Sequence, residues 1–386
     1  MSNIKYYLTT SPGRINIIGE HTDHQKGLVM PTAINLQIFI YVSNRTDDLI
    51  RVFSETLNEY DEFPISNISK SYGWKNYIRG TIDKFNRNFG LEFGFDIFIS
   101  SRLPFGAGLS SSASLVVGLY SSLEYILNKQ INDMKVIEDC WEVENNYVGL
   151  SCGIMDQFIV RLGKENSALK LNCENLEYYF INLPSEIKFL IIDTGVRRNL
   201  KDSPYNKRIE ECNYSLKFLK KKGYNIENLS QIKIADLGYI QKILVNPYYK
   251  RVEHIVSENH RVNLFDLKIT KSKIEAGKFL YESHLSLEKS FEASWIEADQ
   301  LVQYSKSISG VYGARMVGGG WGGSVLFMID TEKAYKVKNN LRKYLLEKGL
   351  NNHRVLEIAS SGGVKTQKLE KTSIPMNFKK FLLNET

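Results

Sequence analysis

The sequence is poor in cysteine and has no long apolar segment. Its four cysteines, at positions 140, 152, 173 and 212, form no C-x-x-C pair of the kind typical of redox and metal sites. A chain of 386 residues is long enough to bury large cores without disulfides, so we expect reduced thiols and a cytoplasmic protein. No run of about 18 uninterrupted apolar residues occurs, and residues 1–5 lack the apolar stretch of a signal peptide, so neither a membrane span nor a secretion signal is expected.

The charge distribution does not favour nucleic-acid binding. Fifty Lys and Arg against 43 Asp and Glu give a formal net charge of +7, and the excess is spread along the chain. The basic cluster at residues 220–222 is more typical of a solvated helix end, and no basic stripe with interleaved aromatic residues occurs. We therefore expect small-molecule partners, no nucleic acid and no membrane, with the chain a monomer or a weak homo-oligomer.

Alternating strand-like and helix-like segments predict a mixed α and β architecture. A domain boundary is predicted just after Pro184, ahead of the apolar strand at residues 189–192, and it divides the chain into residues 1–185 and 186–386. The polar segment at residues 366–386 is expected to be peripheral. The other predicted strands are residues 36–43, 95–101, 324–329 and 354–359, and the predicted helices are residues 109–127, 132–149, 204–221, about 286–308 and 332–348.

Several common catalytic and nucleotide-binding motifs are missing. The G-x-x-x-x-G-K-[ST] motif of P-loop enzymes is absent, as are H-E-x-x-H and G-x-S-x-G. Residues 318–323 formally match the dinucleotide motif G-x-G-x-x-G, but a strand-like run follows them where that motif requires a helix. These glycines are better interpreted as a tight turn whose backbone can approach a ligand.

Residues 103–114 form a candidate phosphate loop between a predicted strand and an amphipathic helix. Gly106 and Gly108 allow backbone conformations that a Cβ atom hinders, and three serines, Ser110–Ser112, lie where the helix begins. A helix N-terminus offers unpaired N–H groups and the positive end of the helix dipole, which suits a phosphate. The alternative is a serine-rich helix cap that binds no ligand.

One carboxylate stands on the apolar face of a predicted helix. At roughly 100° per residue, Glu144 falls near the centre of the face that Val136, Cys140 and Tyr147 share. A buried, unpaired carboxylate is costly, so it needs a cation or must keep its proton. Mg²⁺ beside a phosphate loop would satisfy it, and a structural ion pair with Lys or Arg is the alternative.

Residues 11–31 concentrate polar side chains among apolar ones. Arg14 can stabilise charge on a transferring phosphoryl group, and Glu20, His21 and Asp23 can hydrogen-bond a polyhydroxylated ligand. The run Glu-His-Thr-Asp-His also has the composition of a metal-ligand cluster, and an ordinary loop is the third interpretation.

Six motifs in one order make the sequence resemble the galactokinases, within the GHMP small-molecule kinase family. The resemblance extends from about residue 8 to residue 330, and it implies a two-domain α+β fold with the active site in the cleft between the domains. It implies ATP-dependent phosphorylation of the C1 hydroxyl of galactose, with Mg²⁺ as cofactor. The motifs are residues 12–23, 104–114, 152–157, 203–212, 282–287 and 312–323.

The resemblance also implies a role for each matching position. Asp156 would be the base that takes the proton of the sugar C1 hydroxyl, and Arg14 would stabilise charge beside it. Ser112 and Glu144 would hold Mg²⁺. The residues implied to bind the sugar are Glu20, His21, Thr22, Asp23, Gly153 and Tyr205, and those implied to bind ATP are Gly106, Ala107, Gly108, Leu109, Ser110, Ser111 and Ser112, with Trp74 and Tyr77 beside the adenine.

Several positions depart from the family pattern. His24 stands where galactokinases usually have Tyr, Gln25-Lys26 replace Asn-Gly, Trp321 replaces Phe and Ser324 replaces Cys. Asp-His-Gln also resembles plant galacturonokinases, whose substrate bears a carboxylate at C6. Lys26 of this chain could pair with that carboxylate. Glu20 would repel that carboxylate, so galactose is preferred, and galacturonate or another galactose-configured sugar is the alternative substrate. A non-catalytic sugar and ATP sensor is a further alternative, although the phosphate loop, Arg14 and Asp156 are intact.

Overall fold

The computed structural model describes residues 4–104, 106–196, 204–350 and 352–383. Residues 105 and 203, which belong to two of the six motifs, lie outside these ranges. The strands are β1 (Tyr6–Asn16), β2 (Leu28–Val29), β3 (Pro31–Asn44), β4 (Leu49–Ser54), β5 (Glu59–Pro64), β6 (Phe95–Ser101), β7 (Ser167–Asn172), β8 (Tyr178–Asn182), β9 (Ile187–Asp193), β10 (Val311–Val317), β11 (Ser324–Asp330), β12 (Arg354–Ile358) and β13 (Lys365–Leu369). The helices are α1 (Lys75–Phe89), α2 (Ser111–Ile126), α3 (Asp133–Glu142), α4 (Met155–Leu162), α5 (Tyr205–Lys221), α6 (Leu237–Ile243), α7 (Tyr248–Ile269), α8 (Lys273–Ser286), α9 (Ile296–Ser305), α10 (Ala334–Glu347) and α11 (Met376–Leu382).

The largest sheet has the strand order β13-β1-β3-β6-β4-β5, and its neighbouring strands are antiparallel except for β4 and β6. In β4 the buried residues Ile50 and Val52 alternate with less buried ones, the period expected of a strand with one face in a core. Helix α2 packs on β1 at Gly118, where an added Cβ would lie 2.9 Å from the Ser11 Cβ. This close approach places the start of α2 next to the strand that carries Arg14.

A second sheet has the order β10-β11-β9-β12 and is antiparallel throughout. It begins with β9 at Ile187, directly after the predicted boundary, and helices α7 and α8 belong to the same half of the chain. A small third sheet, β2-β7-β8, lies on the N-terminal side. The mixed α+β class is confirmed, while the exact division at residues 185 and 186 stays a prediction.

The end of the chain returns to the N-terminal sheet. Strand β13 pairs antiparallel with β1, and α11 buries Phe378 and Phe381 against Phe98 of β6. The expectation that residues 366–386 are peripheral is therefore wrong for the described residues. Their polar composition hides two phenylalanines three positions apart, which lie on one face of a short helix.

Most predicted elements of the N-terminal half are confirmed, and one helix of the C-terminal half is wrong. The helix predicted at about 286–308 is interrupted, because α8 ends in a π-helical turn at Leu287–Phe291 and Glu292 has a φ of 56°. The four cysteines are free, as expected. Among the described residues, no helix combines the length and the apolar character needed to cross a membrane.

Because Phe378 is fully buried among Tyr6, Tyr41 and Phe98, Phe378→Ala should leave a cavity that α11 cannot fill. We expect the free energy of unfolding to fall by about 3–5 kcal/mol, measured by chemical denaturation. Met376→Ala on the same helix is the control, since Met376 is 66% exposed. Equal effects of the two substitutions would contradict this packing.

Candidate active site

Arg14 and Asp156 form a two-point ion pair between β1 and the first turn of α4. Arg14 Nε donates to Asp156 Oδ1 at 2.6 Å and Nη2 donates to Oδ2 at 2.9 Å. The third nitrogen, Nη1, donates to the carbonyl oxygen of Gly108 at 2.7 Å, and the Ser110 hydroxyl donates to Asp156. The candidate phosphate loop and the predicted base are thus joined through one guanidinium group.

Two glycine loops touch beside this pair. Gly108 has a φ of 75° and Gly318 a φ of 87°, and a Cβ added to Gly318 would lie 2.8 Å from the Gly108 Cα. Only glycine at both positions allows this approach. Ser324 then donates a hydrogen bond to the carbonyl oxygen of Ala107 at 2.8 Å. The segment at residues 318–323 is therefore a tight turn, as predicted, and its backbone supports the phosphate loop.

Glu20 is held by groups from the second sheet. Arg315 of β10 donates to Glu20 Oε2 at 2.9 Å, and the Gly318 N–H donates to Oε1. Arg315 is fully buried and also donates to the carbonyl oxygens of Asn16 and Ile17. Sequence reasoning missed Arg315, although a charged residue inside the apolar strand at residues 311–317 is the same type of signal that identified Glu144.

Asp23 lies against the loop that precedes α4. A Cβ added to Gly153 would come within 2.2 Å of Asp23 Oδ2, so only glycine leaves room for this carboxylate. Burial, together with repulsion from Asp156 and Glu20, raises the pKa of Asp23 to about 7. The carboxylate is therefore poised to gain from hydrogen-bond donors on a ligand.

Aromatic rings cover one side of the site. The His21 ring lies 4.5 Å from the Phe291 ring and 5.6 Å from the Tyr205 ring, centroid to centroid. Burial holds the pKa of His21 well below its usual value, and its Nε2 atom is buried with no hydrogen-bond partner in the described structure. A neutral ring nitrogen that lacks a partner suits a ligand hydroxyl.

Glu144 is buried, as its position on the helical wheel predicts. It lies in the π-helical turn Val143–Val148, and one of its carboxylate oxygens has no partner. None of the ion pairs among the described residues includes Glu144, which argues against the structural ion pair. Burial and then repulsion from Asp156 raise its pKa to about 8, against smaller lowering contributions from Cys152 and Ser112.

One cavity brings half of the predicted site residues together. It is bordered by Arg14, Glu20, His21, Asp23, Ser112, Glu144, Gly153, Asp156, Tyr205, Gly318 and Gly319, among others. The sugar-signature segment, the serine-rich helix start, the predicted base and the glycine loop therefore meet at one place between the two larger sheets.

The sequence matches three family models in order along the chain. They are the galactokinase galactose-binding signature at residues 3–44, the GHMP kinases N terminal domain at residues 76–164 and the GHMP kinases C terminal domain at residues 269–346. A curated galactokinase of Clostridium acetobutylicum is 35% identical over 88% of this chain and 89% of its own length, and one of Bacillus subtilis is 36% identical over 83% and 84%. The chain belongs to the galactokinase family.

Solved structures agree with this assignment. The Lactococcus lactis galactokinase complexed with galactose has a TM-score of 0.88 and 27% identity, and the match covers 94% of this chain and 95% of that one. The mevalonate kinase of Methanococcus jannaschii has a TM-score of 0.66 at 20% identity over 92% of this chain, which shows a shared fold. The two-domain GHMP kinase fold is confirmed.

Nine residues named by the family resemblance do not border the cavity: Thr22, Trp74, Tyr77 and the six residues from Gly106 to Ser111. Thr22 is fully buried, and its hydroxyl lies 2.9 Å from the Gly19 carbonyl oxygen and 2.7 Å from that of Leu28, so it shapes its own loop. Trp74 Nε1 donates to Glu59 at 2.7 Å, and both Trp74 and Tyr77 are partly buried against the N-terminal core. Contact of Trp74 and Tyr77 with adenine stays a prediction.

The departures from the galactokinase pattern have separate environments. His24 packs its ring near Tyr205 and Phe291, and burial lowers its pKa to about 3. Trp321 has a φ of 53°, and its indole N–H donates to the Glu292 carbonyl oxygen at 3.0 Å. The Lys26 side chain is exposed, and its charge acts on the exposed Glu227.

The metal-cluster interpretation of residues 20–24 is not supported. Within the described ranges, the one group of His, Cys, Asp and Glu with ligand atoms close enough to share a metal is His284, Glu288 and Asp299. The Met316 N–H donates to His284 Nδ1 at 3.2 Å, so in the neutral ring Nε2 carries the hydrogen. Nε2 lies 3.3 Å from Asp299 and offers no lone pair to a metal.

The raised pKa of Glu144 makes a prediction about stability without ligands. The unfolded side chain ionises near pH 4.5 and the folded one near pH 8, so between these values the folded chain keeps a proton that the unfolded chain has lost. Stability should therefore fall as the pH rises through this window. Above pH 8, the free energy of unfolding of Glu144→Gln, measured by chemical denaturation, should exceed that of the parent by on the order of a few kcal/mol.

The gain should disappear well below pH 4.5, where the parent side chain is neutral in both the folded and the unfolded state. Glu138→Gln, at an exposed position of α3, is the control and should change little at either pH. A parent protein at least as stable as Glu144→Gln above pH 8 would show that the carboxylate is compensated in the free protein.

Proposed function

We propose that this chain is an ATP-dependent galactokinase, which transfers the γ-phosphoryl group of ATP to the C1 hydroxyl of galactose and releases galactose 1-phosphate and ADP. The observation that carries the proposal is the Asp156 carboxylate, bound by Arg14 and by Ser110 of the phosphate loop at the cavity of Glu20 and Asp23. A base for a sugar hydroxyl and a cradle for phosphate thus share one site. The galactokinases of similar sequence and fold support the same assignment.

The mechanism follows from this geometry. Asp156 accepts the hydrogen of the C1 hydroxyl and directs its oxygen at the γ-phosphorus. Arg14 keeps the carboxylate in place and offers positive charge beside the phosphoryl group. The transition state of phosphoryl transfer is loose, so positioning and charge neutralisation supply most of the acceleration. The N–H groups at the start of α2 and Gly106–Ser112 hold the ATP phosphates.

The residues fit a bound Mg²⁺. Glu144 has a buried oxygen without a partner, and Ser112 borders the same cavity. Carboxylate and hydroxyl oxygens together with substrate phosphates are the ligands that Mg²⁺ prefers. Glu144 and Ser112 would hold the ion, which when bound neutralises phosphate charge.

The charges of the cavity favour a neutral sugar. Glu20, Asp23, Glu144 and Asp156 all border it, and repulsion by Asp156 already contributes to the raised pKa values of Asp23, about 7, and Glu144, about 8. Among the described residues near the site, Arg14 and Arg315 are paired with Asp156 and Glu20. A sugar with a carboxylate at C6 would add a further negative charge without a free cation in the described part of the site. The side chain of Lys26, the candidate partner for that carboxylate, lies near Glu227 on the surface.

A coupled ADP-release assay with a panel of neutral and acidic sugars tests the substrate. We expect turnover of galactose and none of galacturonate. Turnover of galacturonate alone would overturn the substrate assignment, and binding of galactose and ATP without any turnover would indicate a sensor.

Asp156→Asn tests the assigned base. The substitution keeps the shape of the side chain and removes its basicity, so kcat should fall by roughly 100- to 10,000-fold, while the protein should remain folded. Asp133→Asn, at an exposed position of α3, should retain the parent kcat. Near-normal turnover by Asp156→Asn would remove Asp156 from this role.

The same assay at increasing Mg²⁺ tests Glu144. We expect Glu144→Gln to need about tenfold more Mg²⁺, or higher, for half-maximal turnover, because changes to the surroundings of a metal ligand already cost about 10–100-fold in affinity. Glu138→Gln is again the matched control. An unchanged Mg²⁺ titration would argue against metal binding by Glu144.

A further inference from the structure

Helix α7 presents buried polar side chains to the segment that carries Glu20 and Asp23. We name residues 19–30 the sugar loop. His254 and Glu258 of α7 are both fully buried and stand four residues apart, so they lie on one face of the helix. The family resemblance assigns neither residue a role, and neither borders the cavity.

These side chains bind the backbone of the sugar loop. His254 Nε2 lies 3.0 Å from the Glu20 carbonyl oxygen, and Glu258 Oε1 accepts from the Gly19 N–H at 3.0 Å. Asn259 Oδ1 accepts from the Leu28 N–H at 2.6 Å near the far end of the loop. Side chains of helix α7 therefore fix both ends of the loop through hydrogen bonds to its backbone.

The hydrogen bond to Glu20 sets the tautomer of His254. A carbonyl oxygen can only accept, so Nε2 carries the hydrogen and Nδ1 accepts from the Ser286 hydroxyl at 2.9 Å. Burial lowers the pKa of His254 to about 4, so the ring is neutral near neutral pH. Ser286 thus selects the form of His254 that can donate to Glu20.

The contact at Gly19 is made by an ionised Glu258 and depends on glycine at position 19. Burial alone would raise the pKa of Glu258, but Arg261, His254 and Arg315 hold it at about 2. The Ser283 hydroxyl donates to Glu258 Oε1 at 2.6 Å, and Arg261 Nε donates to Oε2 at 2.8 Å. Gly19 has a φ of 98°, and a Cβ there would lie 3.0 Å from Val262 of α7. The loop can approach the helix this closely only with glycine at this position.

We propose that His254 and Glu258 are positioning residues for the sugar: by fixing the backbone at Gly19 and Glu20 they aim the Glu20 side chain, which Arg315 holds from the other side, at the sugar hydroxyls. This inference rests on the proposed galactokinase function. The two residues act only through the sugar loop, since Arg14, Asp156 and the phosphate loop have other supports. Their loss should therefore weaken galactose binding selectively.

The test compares His254→Leu with His254→Gln in the full-length protein. His254→Leu removes the donor to Glu20, and we expect the KM for galactose to rise roughly three- to tenfold, the factor for one lost hydrogen bond. The kcat and the KM for ATP should stay within about twofold. His254→Gln should restore most of the galactose KM, because its amide N–H can occupy the place of Nε2–H.

Val256→Ala on α7 is the matched control. Val256 is buried in the core of the second sheet, so its truncation disturbs the helix without touching the sugar loop. Should His254→Leu fail to fold, Ser286→Ala replaces it, since loss of the Nδ1 partner permits the wrong tautomer and should give a smaller rise in the same KM.

Three outcomes would overturn the inference. The first is an unchanged KM for galactose in His254→Leu or its replacement, and the second is an equal rise of the KM for galactose and the KM for ATP. The third is a KM for galactose in His254→Gln that is as high as in His254→Leu. A wild-type protein that does not phosphorylate galactose would overturn the proposed function instead. That failure is recognised in the wild-type assay, before any variant is compared.

Discussion

The ion pair between Arg14 and Asp156 is the contact on which the site depends. One guanidinium group reaches the carboxylate through two nitrogens and the phosphate-loop backbone through the third. A planar group with donors in a fixed fork makes such contacts with little freedom. The position of the proposed base, Asp156, relative to the candidate phosphate loop is therefore fixed in the structure without a substrate.

The other carboxylates of the cavity divide into two kinds. Glu20 is matched by Arg315 and a backbone N–H, so its charge is compensated in the free protein. Asp23 is partly buried and Glu144 is buried, both have raised pKa values, and neither forms an ion pair within the part of the chain that the structure describes. A folded protein tolerates such groups at a cost in stability, and under the proposed function the hydrogen-bond donors of a sugar and a divalent cation would relieve that cost. The same residues thus weaken the empty fold and select what binds.

The C-terminal half of the chain supports the site through contacts that its sequence motifs did not predict. Gly318 packs on Gly108, Arg315 crosses to Glu20, and helix α7 binds the sugar loop from behind. The short apolar contacts of the final helix close the N-terminal sheet on another side. Residues distant in sequence therefore decide how firmly residues 19–30 are held.

Local sequence determined the elements with strong periodicity and the groups that break it. Glycines and serines at a helix start predicted the phosphate loop. The position of Glu144 on an apolar helix face predicted that this carboxylate is unusual. The proposed role of Asp156 and the identity of the sugar came from the family resemblance, since no spacing rule identifies Asp156. Tertiary structure alone decided the partners of Arg315, His254 and Glu258, the break after α8 and the return of β13 to β1. Each of these depends on contacts between residues tens to hundreds of positions apart, and a pattern read along the chain carries no information about which distant groups will meet.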